Sequence, residues 1–270
     1  MAVVSVIVPT RNSVRTLEGC LRSVRAQTYR DLELIVVDNH SLDGSAAIAE
    51  RFADRIETWG PERSAQRNRG AELARGSYVL FVDSDMRLEP GVVSSCVATL
   101  EAGDAPAVII PEVSVGQGFW AHCRALERSC YLGDDTIEAA RFFRREVFRS
   151  VGGYDESLTG PEDWDLSARA AAGQRLPRAV AIILHDEGRL HLAEQLAKKW
   201  YYSGTARTYL RKHPRSLSQG NLLFRPAFFR NWRKLARHPL LTTGMFFLKG
   251  SELAAVAAGM LLRRSPSAPA

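Results

Sequence analysis

A chain of 270 residues, 46% hydrophobic and 24% charged, has the make-up of an ordinary soluble globular protein, long enough for one large domain with or without an appendage. Four scattered cysteines (Cys20, Cys96, Cys123, Cys130) with no C-x-x-C pair speak against a disulfide framework or a zinc site and suit a reducing cytoplasm. The net charge of +6 hides a division: residues 1–197 carry 22 Lys and Arg against 29 acids, whereas from Lys198 onward 14 basic residues meet a single acid, Glu252. The tail therefore suits an acidic partner, either nucleic acid or an anionic membrane.

In chain order, residues 3–8 (VVSVIV) form a β-branched run predicted to be a strand ending at Pro9. No charged segment precedes it, so it does not read as a secretory signal. Leu17, Cys20, Leu21 and Val24 then recur at helical spacing. LELIVVD (32–38) is a second strand, and Asp43-Gly44-Ser45 opens a helix through AAIAERFA. A weak strand at RIETW precedes a polar helix, ERSAQRNRGAELA, and then a buried strand, SYVLFV. Residues 89–102 read as helix and 106–111 as strand. The stretch 112–160 is less regular, with a strand and short helix before Gly152-Gly153. GPEDWDLSARAAAGQ starts a further helix, with Pro161 and acids in its first turn. RAVAIILHDEGR is a strand ending in His185, Asp186 and Glu187, and the chain is helical and basic from about Leu190.

Alternating strands and helices with continuously apolar strands predict an α/β class, a mostly parallel sheet covered by helices on both faces. Ligands in such sheets bind at the carboxyl ends of strands. Three polar clusters fall there: Pro9-Thr10-Arg11-Asn12, Asp38-Asn39 and Asp83-Ser84-Asp85. In an extended chain Asp83 and Asp85 point to the same side, which suits a divalent cation; a simple strand-end turn is the alternative.

With these pieces placed, the chain resembles glycosyltransferase family 2, nucleotide-sugar-dependent enzymes of the GT-A fold. The resemblance rests on VSVIVPTRN, LELIVVDNHSLDGS, AQRNRGAELARGSYVLFVDSD, FRREVFRSVGGYDESL and PEDWDL, in that order, over roughly residues 3–187. Asn39-His40 departs from it, since many relatives carry a second acid there. The resemblance implies an inverting transfer from a nucleotide-diphosphate sugar, with Mg2+ or Mn2+ at the D-x-D: Asp85 as ligand, and Asp83 near the ribose or the metal. A hard cation held by carboxylates would neutralise the departing diphosphate. It also implies that Pro9, Thr10, Asn12, Asp38, Arg67, Asn68 and Ser84 line the donor pocket, with exposure on a polar helix the alternative for Arg67 and Asn68. His185 matches a position that in some relatives adds a metal or diphosphate ligand. Glu162 and Asp163 match the acceptor-side acids. Asp163 would be the base that takes the acceptor's proton, Glu162 an orienting neighbour, and Asp165 a competitor for the base. Trp164 and Tyr154 suit either an acceptor pocket or the core.

The tail interleaves basic and aromatic residues (KKWYYSG, FRPAFFRNWRKLARHP) and then runs apolar over residues 240–262, interrupted by Lys249, Ser251 and Glu252. Charges inside a spanning helix cost roughly 2.5–3.5 kcal/mol each, so interfacial helices on an anionic surface fit better than a single pass. The expected organisation is a catalytic domain at 1–190, with its donor side at 1–111 and its acceptor side at 112–190. A basic, membrane-interfacial helical tail is expected at 191–265 and a disordered terminus at 266–270. The expected location is the inner face of the cell membrane, with a lipid-linked or glycan acceptor offering a hydroxyl or phosphate and no nucleic acid. A nucleotidyltransferase is disfavoured because VPTRNSVRT lacks a glycine-rich phosphate loop; a dead transferase scaffold serving as a membrane module is the other alternative.

Overall fold

The computed structural model describes residues 2–135, 137–212 and 225–262, so the expectation for 266–270 lies outside the described residues. The chain divides into two compact units. The first takes in Met1–Val113, Ile137–Glu156 and Glu162–Asp186; the second takes in Ser114–Thr136, Ser157–Pro161 and Glu187–Ala270. The change at 186–187 lies near the expected boundary at 190, but the second unit also claims 114–136, a stretch expected on the acceptor side of the catalytic domain.

The first unit is built on a six-stranded sheet: β1 (Val4–Thr10), β2 (Leu32–Asp38), β3 (Arg55–Thr58), β4 (Tyr78–Phe81), β6 (Ala107–Ile109) and β8 (Ala140–Arg144), in the order β3-β2-β1-β4-β8-β6. β3, β2, β1 and β4 are parallel, and β8 and β6 are antiparallel to their neighbours. The strands are apolar throughout because both faces are covered. Val4, Val6, Val8, Leu34 and Val36 pack with α1 (Leu17–Arg25) and α4 (Val92–Glu101) on one face. Ile7, Ile35, Val37 and Phe81 pack with α3 (Arg63–Leu73), α6 (Arg145–Ser150) and α7 (Glu162–Ala171) on the other. The second strand is followed by α2 (Ser45–Phe52), entered from Gly44 at φ 89°.

Three expectations need correction. β1 continues through Pro9 to Thr10 rather than stopping at the proline. Ile7 O accepts from Val82 N and Thr10 O from Asn39 N, so Pro9 turns its missing N–H toward β4, whose pairing with β1 ends at Ile7↔Phe81. The stretch after residue 85 contains a strand the periodicity did not show, β5 (Met86–Leu88), too short to display alternation. β5 pairs with β9 (Ile183–Arg189), Met86 opposite His185, so His185 stands near the start of its strand and not at its end.

β7 (Glu112–Gln117) and β9 carry the chain between the units and join β5 in a small sheet of order β5-β9-β7. The second unit is helical: α5 (Phe119–Ser129), α8 (Leu192–Lys212), α9 (Pro226–Arg230), α10 (Trp232–Ala236) and α11 (Pro239–Leu262). Gly244 lets α11 lie close on α5, since a Cβ there would overlap the Phe119 ring and the Cys123 sulfur. Lys249 and Glu252, the charges that interrupt the apolar run, are both buried. Lys249 Nζ lies 2.5 Å from Glu127 Oε1, Glu252 pairs with Arg124, and Arg124 also holds Glu127 at 2.7 Å. Burial alone would raise the Glu127 carboxyl, but Lys249 and Arg124 outweigh it and bring it down to about 2.

Candidate active site

The carboxyl ends of β1, β2 and β4 lie side by side, which gathers the three polar clusters along one sheet edge. At the end of β1, Thr10 is buried and its hydroxyl has no hydrogen-bond partner within the protein. Pro9 is buried beside it. Asn12, at φ 48°, is exposed and pins the neighbouring loop: its N–H donates to Ser41 Oγ at 2.8 Å and its Oδ1 accepts from Leu42 N at 2.8 Å. Asp38, buried at the end of β2, accepts from the Ser41 N–H at 2.8 Å and from the Ser41 hydroxyl. Asp38 and Asn12 thus share one loop, with Thr10 beneath it.

After β4 the chain turns, with Met86 N donating to Asp83 O at 2.9 Å. The extended geometry expected for Asp83-Ser84-Asp85 is therefore absent, and the two carboxylates have different partners. Asp83 lies 2.5 Å from Arg67 Nη2 and 3.4 Å from Arg141 Nη1. Burial opposes its ionisation, yet Arg67 and Arg141 hold it far below the usual carboxylate range. Both oxygens face guanidinium groups, whereas Asp85 has a different partner. Ser84 Oγ bonds Ser13 Oγ at 2.9 Å.

Asp85 faces His185 instead, Oδ2 to Nε2 3.3 Å, because β5–β9 pairing sets the histidine opposite Met86. Burial would lower the His185 pKa, but the Asp85 and Glu112 carboxylates raise it to about 10. Asp85 Oδ1 and His185 Nδ1 are buried without hydrogen-bond partners. A carboxylate oxygen and an imidazole that gives up its proton to an arriving cation fit Mg2+ or Mn2+, of which Mn2+ takes nitrogen more readily. No group of three or more His, Cys, Asp or Glu side chains among the described residues converges to hold an ion alone. The set fits a cation that draws its other ligands from water and a bound diphosphate. A polar cleft of about 80 Å³, lined by Arg15, Thr16, Gly19, Asp85, Arg87 and Asp186, opens beside Asp85.

Arg67 is the centre of the site. Its helix, α3, lies close on β1 at Gly70, where a Cβ would collide with Ile7, and Arg67 stands one turn earlier on the same face. Arg67 is fully buried, against the alternative of an exposed polar helix. Its guanidinium lies 4.9 Å from the Tyr154 ring centre and joins Asp83 to Asp163 (Nη1–Oδ1 3.0 Å) and Glu162 (3.7 Å). Tyr154 is core, the second of the two roles its sequence position suits. Asn68 braces a turn: it donates to Tyr154 O and accepts from Tyr154 N, and it also bonds Glu156. Its amide is taken up by the protein, which leaves it poorly suited to a donor contact.

On α7 the three acids separate. Glu162 is buried against Arg63 at 2.8 Å. Asp163 is partly exposed, with Oδ1 on Arg67 and Oδ2 3.9 Å from Arg141 Nη2. Asp165 is buried and clamped by Arg169 at 2.6 Å, which removes it as a competitor for the base. Trp164 is half-exposed and donates Nε1–H to Ile137 O at 2.7 Å. Two members of the site, Arg141 and Glu112, do not stand out in the sequence. Arg141 Nε donates to Glu112 Oε1, and Glu112 Oε2 lies 3.7 Å from His185 Nδ1. The available signal was an arginine inside the buried run ARFF on β8.

The pattern that defines glycosyl transferase family 2 matches residues 5–152. A PGL/p-HBAD biosynthesis glycosyltransferase of Mycobacterium bovis is 29% identical over 182 residues, 64% of this chain and 71% of the relative. A pre-mycofactocin glycosyltransferase of Mycobacterium tuberculosis is 30% identical over 239 residues, 78% of this chain and 48% of the relative. Among solved structures, the mannosyltransferase PcManGT from Pyrobaculum calidifontis in complex with GDP-Man and Mn2+ superposes with a TM-score of 0.60 at 20% identity, covering 98% of this chain and 77% of that one. Staphylococcus aureus TarS in complex with UDP-GlcNAc gives 0.57 at 16% identity, covering 96% and 90%.

Proposed function

This chain belongs to glycosyl transferase family 2 and is a glycosyltransferase of the GT-A fold; from that premise we propose that it moves a sugar from a nucleotide-diphosphate donor to an acceptor hydroxyl in one inverting step. The observation that carries this reading is the position of Arg67, one buried guanidinium binding a strand-end acid, Asp83, and a half-open acid on the opposite helix, Asp163. The nucleoside lies against Asp38 and the unpartnered Thr10 hydroxyl. Asp85 and His185 would hold a divalent cation, which would supply charge neutralisation for the departing diphosphate. The solved relatives bind GDP-mannose with Mn2+ and UDP-GlcNAc, which supports a nucleotide-sugar donor without choosing the base or the sugar.

On the acceptor side, Asp163 takes the hydroxyl proton at Oδ2, its less engaged oxygen, as the acceptor oxygen bonds to the anomeric carbon. The bond from that carbon to the diphosphate breaks on the opposite face, inverting the configuration, and the nucleoside diphosphate leaves. Arg67 and Arg141 fix the carboxylate for this transfer. An acceptor carried on a lipid, met at the inner face of the membrane, fits the basic and partly apolar C-terminal segment.

A donor panel tests the reading: release of nucleoside diphosphate from UDP-, GDP- and dTDP-sugars with membrane extract as acceptor, with and without EDTA. Turnover with at least one donor, abolished by EDTA and restored by Mn2+ or Mg2+, is expected. A folded protein with no metal-dependent turnover on any donor would refute it.

A further inference from the structure

The second unit sorts its side chains in reverse. α11 turns Lys249 and Glu252 inward, together with Met245 and Leu248, onto Glu127 and Arg124 of α5. Its outward stripe, Leu240, Phe247, Ala254, Ala257 and Leu261, follows spacings of seven, seven, three and four, so these residues share one face. All five are exposed, Leu240 at 71% and Phe247 at 57%. A water-soluble helix pair places its charges the other way round. By length and composition α11 could also cross a bilayer, with a mean hydropathy of 1.5 over its most apolar window.

The elbow leading into this helix continues the pattern. Phe229 and Trp232 are 66% and 60% exposed, interleaved with exposed Arg233 and Arg237, and the Arg233 guanidinium lies 5.6 Å from the Trp232 ring centre. Residues 225–251 contain six Lys and Arg and no acid. Aromatic rings at the edge of an apolar stripe, with guanidinium groups beside them, match the boundary between acyl chains and headgroups. A second copy of the chain would present the same cationic collar and gain no charge complementarity, whereas an anionic lipid surface does.

We propose that the outer face of α11 and the α9–α10 elbow form a docking surface for an anionic phospholipid bilayer, with the helix lying along the interface. This deepens the membrane placement proposed above, and it rests on the second unit alone. The inward charge network removes the obstacle that Lys249 and Glu252 pose in the bare sequence, because neither charge meets lipid.

Flotation of the full chain with vesicles tests it, comparing pure phosphatidylcholine with an equal mixture of phosphatidylcholine and phosphatidylglycerol. Binding to the anionic vesicles should be at least about tenfold tighter and should weaken as salt is raised. Phe247→Glu, and separately Ala257→Glu, should each reduce binding by about tenfold or more. The pair Arg233→Glu and Arg237→Glu should abolish the preference for anionic lipid. All these sites are exposed, and a thermal melt matching the parent shows that each variant folds. Parent protein that stays out of both vesicle layers overturns the proposal. So does a concentration-dependent dimer dissolved by Phe247→Glu in a chain that never floats. Nucleoside diphosphate release is measured on the same samples with detergent-solubilised membrane extract as acceptor. Normal release without flotation sinks the docking surface alone, and flotation without release sinks the catalytic reading alone.

Discussion

The networks around Arg67 and around Arg124 both pair buried arginine with carboxylate, and they differ in what they leave open. In the first unit, Arg67 and Arg141 hold Asp83, Glu162 and Asp163, yet the Asp163 and Asp85 side chains stay partly exposed and Thr10 keeps an unpartnered hydroxyl. In the second, Arg124, Glu127, Lys249 and Glu252 close on one another with side-chain exposures of 4–11%, and the apolar surface lies outside. The same chemical pairings therefore serve opposite ends. An open network orients groups for a reaction, while a closed one cancels charge so that a helix can show its apolar side. Breaking the first should cost turnover, and breaking the second should cost stability.

The largest expected effect is on turnover. Asp163→Asn should lower kcat by about 10²–10⁴-fold, the usual range for loss of a general base, in a protein that still melts cooperatively because Asp83 and Glu162 keep Arg67 paired. Arg124→Leu in the closed network leaves Glu252 and Glu127 short of a cation and should destabilise the fold by about 3–5 kcal/mol in urea titrations, with near-parental kcat for the folded fraction. Replacing Arg124, Glu127, Lys249 and Glu252 together by apolar residues of similar volume should be neutral or stabilising by about 1–4 kcal/mol. A large loss there would mean that the closed network does more than cancel charge.

Acid separates the networks in a further way. The Glu127 carboxyl is lowered from 4.5 to about 2, so its contribution is complete above about pH 4.5 and is lost as pH falls from there toward 2. Cooperative loss of the second unit's helix signal across that window is expected, and Glu127→Gln should flatten it. The smallest effect belongs to Asp165→Asn. With its carboxylate spent on Arg169, kcat should change less than about threefold, and a drop comparable to that of Asp163→Asn would return Asp165 as the base.

Strand runs and helix spacings made the sheet legible in the sequence, because both faces of β1, β2 and β4 are buried and their apolar runs are unbroken. β5 and β7 were not legible because strands of three and six residues show too little alternation, and α5 was not because Arg124 and Glu127 lie on its buried face. The strand-end acids were found, but their division was not. A turn at 83–85 sends Asp83 to the arginines and Asp85 to His185, and spacing along an extended chain cannot foresee a turn. Arg67 stands in the sequence on a helix polar all round, yet it is buried on the helix face that meets Ile7 at Gly70, a contact that only the fold supplies. Lys249 and Glu252 looked like flaws in an apolar run until their partners on α5, more than a hundred residues earlier, were in place.

The most direct measurement separates donor binding from transfer. Titration calorimetry with UDP and GDP in the presence of Mn2+, alongside single-turnover transfer from the matching sugar donor, should be run on the parent, Asp85→Asn and Asp163→Asn. The account predicts that Asp163→Asn binds nucleotide like the parent while transfer falls at least about 100-fold, and that Asp85→Asn loses the Mn2+-dependent component of binding. Transfer by Asp163→Asn at the parental rate, or loss of its nucleotide binding, would contradict the division of labour between the two acids.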